Sequence, residues 1–292
     1  MYKLTAMLTA LLLALTAAAC AECPHIEAAD YPIVDGSTAT LPLSYLLMET
    51  ATGVDQETAK AAITHNKTTE SFYALLDGAA DLLLVYEPSA DAWEQAEDYG
   101  VALEKQSIGM DALVFLINDG NSVESLTHDQ LVDIYTGKNT NWSQVGGEDL
   151  DIVAYQRVEN SGSQVMMRKQ VMKGIEMMEP PTELRTAEMG ELVDAISAYR
   201  NTANSIGYSV YYYVDNMYMQ AGIKLLGVNG VMPTNETIAS GGYPYRQPFY
   251  AVIRASEPED SPARRLYNWL ATAEGRRLVE AAGYVALPAE QD

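Results

Sequence analysis

The sequence predicts an α/β protein built as two lobes. Short apolar runs rich in β-branched residues alternate with segments of helical period, the pattern of strands laid beside covering helices. Two turn-rich stretches, Asn118-Asp119-Gly120-Asn121 and 231–245, stand where a chain would cross between lobes and return. At 292 residues the chain is also longer than an ordinary single domain, which runs to roughly 100 to 200 residues. The expected division is 31–117 with 248–292 for the first lobe and 118–247 for the second, behind a signal at 1–19 and a tether at 20–30.

Taken in order, 31–34 reads as a short strand, after which Asp35-Gly36-Ser37-Thr38-Ala39-Thr40 leads into an apolar helix at 41–47. Pro42 falls in its first turn, where a missing N–H costs least. A second helix is expected over 55–63 and a third over 71–76, with Thr68 and Thr69 as caps and Glu70 suited to the positive end of the dipole. The run Asp81-Leu82-Leu83-Leu84-Val85-Tyr86 has the continuous apolar character of a buried strand, and it ends on Glu87. Two further strands, 101–107 and 111–117, are expected to be broken at Gly109. Thr127 caps an amphipathic helix ending near Tyr135, which Gly137 stops. An apolar segment at 150–155 precedes Arg157, and Ser161-Gly162-Ser163 opens a helix running from 164 to 173. A helix at 189–201, strands at 205–212, 224–228 and 249–254, and one closing helix over 261–282 complete the set.

The first nineteen residues read as an export signal: Lys3, a short apolar core at 8–15, then Thr16-Ala17-Ala18-Ala19. That core is too short to span a bilayer. Cys20 directly after the alanines resembles the acceptor cysteine of bacterial lipoproteins, with Ala17 where that pattern usually has Leu. Acylated there, the protein is expected on the outer face of the cell membrane, held by lipid; without the acyl chains it is expected in the periplasm. Cys23 makes a C-x-x-C spacing with Cys20, but it lies in a tether and not at a βαβ entrance, which argues against redox chemistry.

Lys and Arg number 18 against 40 Asp and Glu, a formal charge of −22. Such a balance excludes nucleic acid as a partner and keeps a monomer soluble. It also repels small anions at long range, so an anion site here must rely on local donors. Three hydroxyl-rich helix starts supply them: Ser37 and Thr38, Thr68 and Thr69, and Ser161-Gly162-Ser163 with Arg157 close before it. Helix starts present N–H groups that lack intrahelical acceptors, and these favour negative charge. Met166, Met167, Met172, Met177 and Met178 follow the third start, and core filling is the ordinary use of such residues. Tyr211, Tyr212, Tyr213 and Tyr218 suit half-buried packing before a carbohydrate groove. Neither G-x-S-x-G nor H-E-x-x-H occurs, and His25, His65 and His128 are scattered, so a hydrolase is disfavoured and no cofactor or metal is expected.

Here the sequence resembles the phosphate-binding, extracytoplasmic components of ABC phosphate importers, of the type II periplasmic-binding-protein family. The resemblance extends over most of the chain after the signal: D-G-S-T-A-T-L-P-L at 35–43, S-L-T-H-D-Q-L-V-D-I-Y-T-G-K at 125–138 with Trp142, R-V-E-N-S-G-S at 157–163, S-I-G-Y at 205–208 and Y-P-Y-R-Q-P-F-Y at 243–250. It implies a two-lobed fold, each lobe a mixed sheet flanked by helices, with two crossings acting as a hinge. It implies inorganic phosphate as ligand, ABC permease subunits as partners, and no enzymatic activity. By position, Arg157 matches the anion-pairing arginine, Glu159 the carboxylate that orients it, and Ser37, Thr38, Ser161, Gly162 and Ser163 the donors. Thr68 stands where the family has a serine between glycines, which this sequence lacks, and Glu87 where it commonly has Asp. A carboxylate in that place would accept the proton that phosphate keeps near neutral pH and sulfate does not. The lengthened side chain leaves sulfate, molybdate and tungstate as the competing ligands, with a surface adhesin as a more distant reading.

Overall fold

The computed structural model describes residues 22–180, 185–186, 189–197, 203–218 and 221–287. Strand β1 (Val34–Gly36) passes through a 3-10 turn into α1 (Leu41–Thr52), with proline in the first turn and Gly53, at φ 76°, ending the helix in the left-handed region. Asp55 caps α2 (Gln56–Ala62), its carboxylate accepting from Thr58 N at 2.8 Å. Then follow α3 (Thr68–Leu76), β2 (Leu82–Val85), α4 (Ala90–Asp98) and the long β3 (Leu103–Asn118). After β4 (Ser125–Leu126), a reciprocal box between Thr127 and Gln130 opens α5 (His128–Tyr135). Short strands β5 (Val153–Ala154) and β6 (Gln156–Arg157) precede α6 (Gly162–Met166), which continues as wider π turns over Met167–Met172. The remainder is β7 (Arg185–Thr186), α7 (Met189–Ser197), β8 (Ser205–Val210), β9 (Ile223–Val228), α8 (Asn235–Ser240), β10 (Arg246–Arg254), α9 (Pro262–Leu270) and α10 (Ala273–Ala281).

The main sheet is mixed and runs β1-β2-β10-β3-β8-β5, with β9 pairing both β3 and β4. The short β6 and β7 pair in parallel apart from it, Arg157 opposite Thr186. Along β3 the partners change. Residues 103–112 pair antiparallel with β10, whereas 113–118 pair with β8 and β9. One half of the sheet therefore holds β1, β2, β10 and the start of β3, and the other holds the end of β3 with β8, β9, β4 and β5. Both halves bury their apolar strands under helices: Leu82, Leu84, Val114 and Leu116 are fully enclosed, as are Leu43 and Leu47 of α1 and Leu192 and Val193 of α7.

Several expectations are corrected here. Gly109 does not break a strand. It lies inside β3 because a Cβ there would stand 2.4 Å from the Phe249 ring, so its lack of a side chain admits that ring. Strand β3 is therefore continuous, and its pairing partners change near Leu113 within it. Strand β8 stops at Val210; Tyr211 and Tyr212 already turn helically, and π turns continue over Tyr213–Met217. The closing helix is two helices, because Thr272 caps a second one by accepting from Gly275 N at 3.1 Å. The signal at 1–19, Cys20 and the end of the 189–201 helix lie outside the described residues. Among those described, no helix is long and apolar enough to cross a membrane.

Candidate functional site

The first side of the site is built where β1 and β2 end. A Cβ on Gly36 would fall 1.9 Å from the Leu84 carbonyl oxygen, so only glycine lets the two strands close up before Ser37. Ser37 N donates to Leu84 O at 3.2 Å, and its Oγ accepts from Tyr86 N at 3.1 Å while lying 2.8 Å from Thr68 Oγ1. Thr68 begins α3 and is buried. Lys67 before it sits at φ 73°, a conformation that non-glycine residues rarely adopt, and this turns the helix start inward.

The second side is the turn between β6 and α6. Arg157 is 3 % exposed; its backbone N–H is shared between Gln164 Oε1 and Tyr208 OH, both at 3.3 Å, and its Nε donates to Thr186 O at 3.2 Å. Tyr208 OH in turn donates to Gln164 Oε1, so one tyrosine from β8 fixes both the arginine's backbone and the helix that follows. Burial raises the Tyr208 phenol well above its usual pKa, which keeps it a donor. Ser161 caps α6, accepting from Gln164 N at 3.3 Å. Gly162 and Ser163 occupy the first helical positions, whose N–H groups have no intrahelical acceptor. Ser163 is fully buried, and among the described residues its Oγ has no hydrogen-bond partner.

The two helix starts face each other. A Cβ on Gly162 would lie 2.6 Å from Thr68 Oγ1, and Thr69 Oγ1 donates to Asn160 O at 3.2 Å, joining the two sides. Between them is a cavity of about 20 Å³ lined by Ser37, Thr38, Thr68, Arg157, Ser161, Gly162 and Ser163, together with Lys67, Tyr86, Met189 and Val210. That is room for about one water molecule. A tetrahedral oxyanion enters only if the two sides separate and the Ser37–Thr68 hydroxyl contact yields its donors.

Two expected residues are not brought to the cavity. Glu87 is absent from its lining and instead pairs with Lys105 at 3.0 Å. Strand alternation explains this: Leu82, Leu84 and Tyr86 point to the main core, while Leu83 and Val85 point to the opposite face with Trp93 and Tyr250. Glu87 follows the second set, where Lys105 lies over both the Trp93 and Tyr250 rings. Glu159 does not orient Arg157 either; it pairs with Arg168 at 2.8 Å, both side chains exposed. No carboxylate lines the inner cavity among the described residues. Asp111 is buried behind Tyr86, whose hydroxyl donates to it. Desolvation lifts its pKa to about 6, against the lowering effect of hydrogen bonds from Tyr86 and the Ala112 and Tyr212 amides.

Tyr86 was open to sequence reasoning, since the alternation that hides Glu87 points Tyr86 inward. Thr186 carries no such signal, because β7 is only two residues long.

Two α/β halves meet over a small polar cavity, and the chain belongs to the PBP superfamily, whose domain matches residues 24–274. Its architecture is the two-lobed type II arrangement. The phosphate-binding protein PstS of Borreliella burgdorferi is 27% identical over 182 residues, spanning 61% of this chain and 63% of that protein, a little under two thirds of its length. PstS of Staphylococcus epidermidis is 24% identical over 260 residues, 87% of this chain and 78% of its own. The crystal structure of an ABC-type phosphate transport receptor from Vibrio cholerae matches with a TM-score of 0.64 at 21% identity, covering 86% of this chain and 98% of that one.

Proposed function

We propose that this protein is a solute-binding receptor that captures inorganic phosphate between its two lobes and delivers it to an ABC importer, without converting it. The observation that carries the reading is the convergence of Arg157, Ser37, Thr68 and the α6 start on one cavity, with the buried Ser163 hydroxyl among its walls. Charge-assisted hydrogen bonds of roughly 1.5 to 3 kcal/mol each let such a cluster hold an anion against an acidic surface. The names of the PstS relatives support phosphate as that anion. The lobes are taken to divide near Leu113 and Tyr245, where β3 and β10 carry the two crossings, and binding is a hinge closure about them. Export by the segment 1–19, a lipid anchor on Cys20 and a monomeric state complete the proposal.

A second reading has its own support: with Glu87 turned away, no carboxylate among the described residues lines the cavity to accept a phosphate proton, so sulfate or another tetrahedral oxyanion is not actively rejected by them. Calorimetric titration of the protein with phosphate and with sulfate separates the two. Tight phosphate binding with weak sulfate supports the first, comparable affinities support the second, and heat from neither removes both. In phosphate-free buffer, ligand at 100 times its Kd is expected to add about 2.7 kcal/mol of stability, visible as a rise in Tm.

A further inference from the structure

The loop before α3 holds a histidine that the anion-binding reading does not use. His65 Nδ1 lies 2.8 Å from the Ser37 carbonyl oxygen, which can only accept, so the Nδ1 nitrogen carries the proton. In the neutral ring Nε2 is then an acceptor, and the buried Ser44 hydroxyl, 3.0 Å away on α1, donates to it. The imidazole is thus tied at both ends between the residue that opens the cavity and the helix behind it. Its neighbour is held as firmly. Asp35 accepts from Asn66 N and from Asn66 Nδ2, both at 2.7 Å, and from Gly36 N at 2.7 Å. The next residue is Lys67, at its positive φ of 73°, and then Thr68, its Oγ1 2.8 Å from Ser37 Oγ across the cavity wall. One short segment therefore sets both hydroxyls of this side.

We propose that His65 is a positioning residue for anion binding, fixing Ser37 from behind while Asn66, clamped by Asp35, presents Thr68. This rests on the anion-binding reading above. A glycine loop reaches such a conformation freely; here, with Asn66-Lys67-Thr68, side-chain bonds impose it. His65 touches no ligand. It acts through the direction in which Ser37 points, so its effect must vanish when the Ser37 hydroxyl is absent.

The test is calorimetric titration of phosphate at pH 7.5 into wild type, His65→Ala, His65→Asn, Ser37→Ala and the His65→Ala/Ser37→Ala double variant, with urea midpoints measured alongside. His65→Ala is expected to weaken binding about five- to tenfold, the scale of one hydrogen bond. Asn, whose amide N–H can take the place of Nδ1–H, is expected to restore most of that loss. The double variant should bind no more weakly than Ser37→Ala alone. Wild-type affinity in His65→Ala, or additive losses in the double variant, overturns the proposal. If His65→Ala does not fold, His65→Gln replaces it, since its amide falls at the Nε2 position; equal affinities of the Asn and Gln variants then overturn it. A wild type that binds neither phosphate nor sulfate removes the anion-binding reading, and this inference with it.

Discussion

Replacing Gly162 with alanine probes the closeness of the two lobes at the cavity. The added methyl would stand 2.6 Å from Thr68 Oγ1, but 3.5 Å from Thr68 Cβ and 3.6 Å from Tyr86 Cβ, so its only severe clash is with one hydroxyl across the cleft. Relief requires the α6 start to retreat from α3 by roughly 1 Å, and overpacking of this kind costs about 1 to 3 kcal/mol. The cost falls on the closed arrangement alone. In an opened protein the methyl meets no partner from the other side, and alanine is the better helix former by roughly 1 kcal/mol. Phosphate affinity of Gly162→Ala is therefore expected to fall about 5- to 150-fold, while the Tm without ligand stays level or rises. Calorimetry and thermal melts on the same preparations measure both quantities. Unchanged affinity would show that the ligand is held without the two helix starts meeting, and would refute the closure argument.

Arg157→Ala is expected to abolish the phosphate-induced rise in Tm, since it deletes the buried charge-assisted donor while leaving the backbone bonds that hold β6. Glu87→Gln should leave both phosphate and sulfate affinities unchanged in titration, because its partner is Lys105 outside the cavity; a change in their ratio would return Glu87 to the site. Stability should fall with acid through His65. Desolvation holds its pKa below the usual 6.5 despite the Ser37 carbonyl and Asp35, so its contribution is present above 6.5 and is lost as pH drops toward the folded-state value. The urea-midpoint gap between wild type and His65→Asn should accordingly narrow below pH 6.5, and a constant gap would contradict this. Asp111 works in the opposite sense: lifted from 3.8 to about 6, it favours the folded state below 3.8 and loses that contribution as pH rises through 6.

Much of the cavity's lining was legible because its parts are local. Helix starts announce themselves through hydroxyls, glycine and proline within a few residues, and Ser37, Thr68, Arg157 and Ser161-Gly162-Ser163 all lie at such starts or just before one. The expectations that failed depended on direction or on distant partners. Glu87 sits at the right strand end but on the wrong parity, which period-two alternation from Leu82 would have revealed. Glu159 has the right spacing from Arg157, yet Arg168, nine positions on along the π-turned helix, reaches it first. Gly109 looked like a breaker because the reason for it, the Phe249 ring, is contributed from the far end of the chain. No local pattern announces a ring arriving from Phe249, in a strand near the far end of the chain.

The position of β10 has a consequence for how the protein is made. In the sheet order β1-β2-β10-β3, the strand spanning 246–254 lies between two that precede it by more than a hundred residues. Until it arrives, β2 and β3 have facing edges with no hydrogen bonds to join them, and the first half cannot close its core. Synthesis runs from the amino end at about 5 to 20 residues per second, so the half that begins first must finish last, after the whole of the other has emerged. A nascent chain stalled before Arg246 would hold an assembled second half and an unzipped first one, with two open strand edges vulnerable to mispairing.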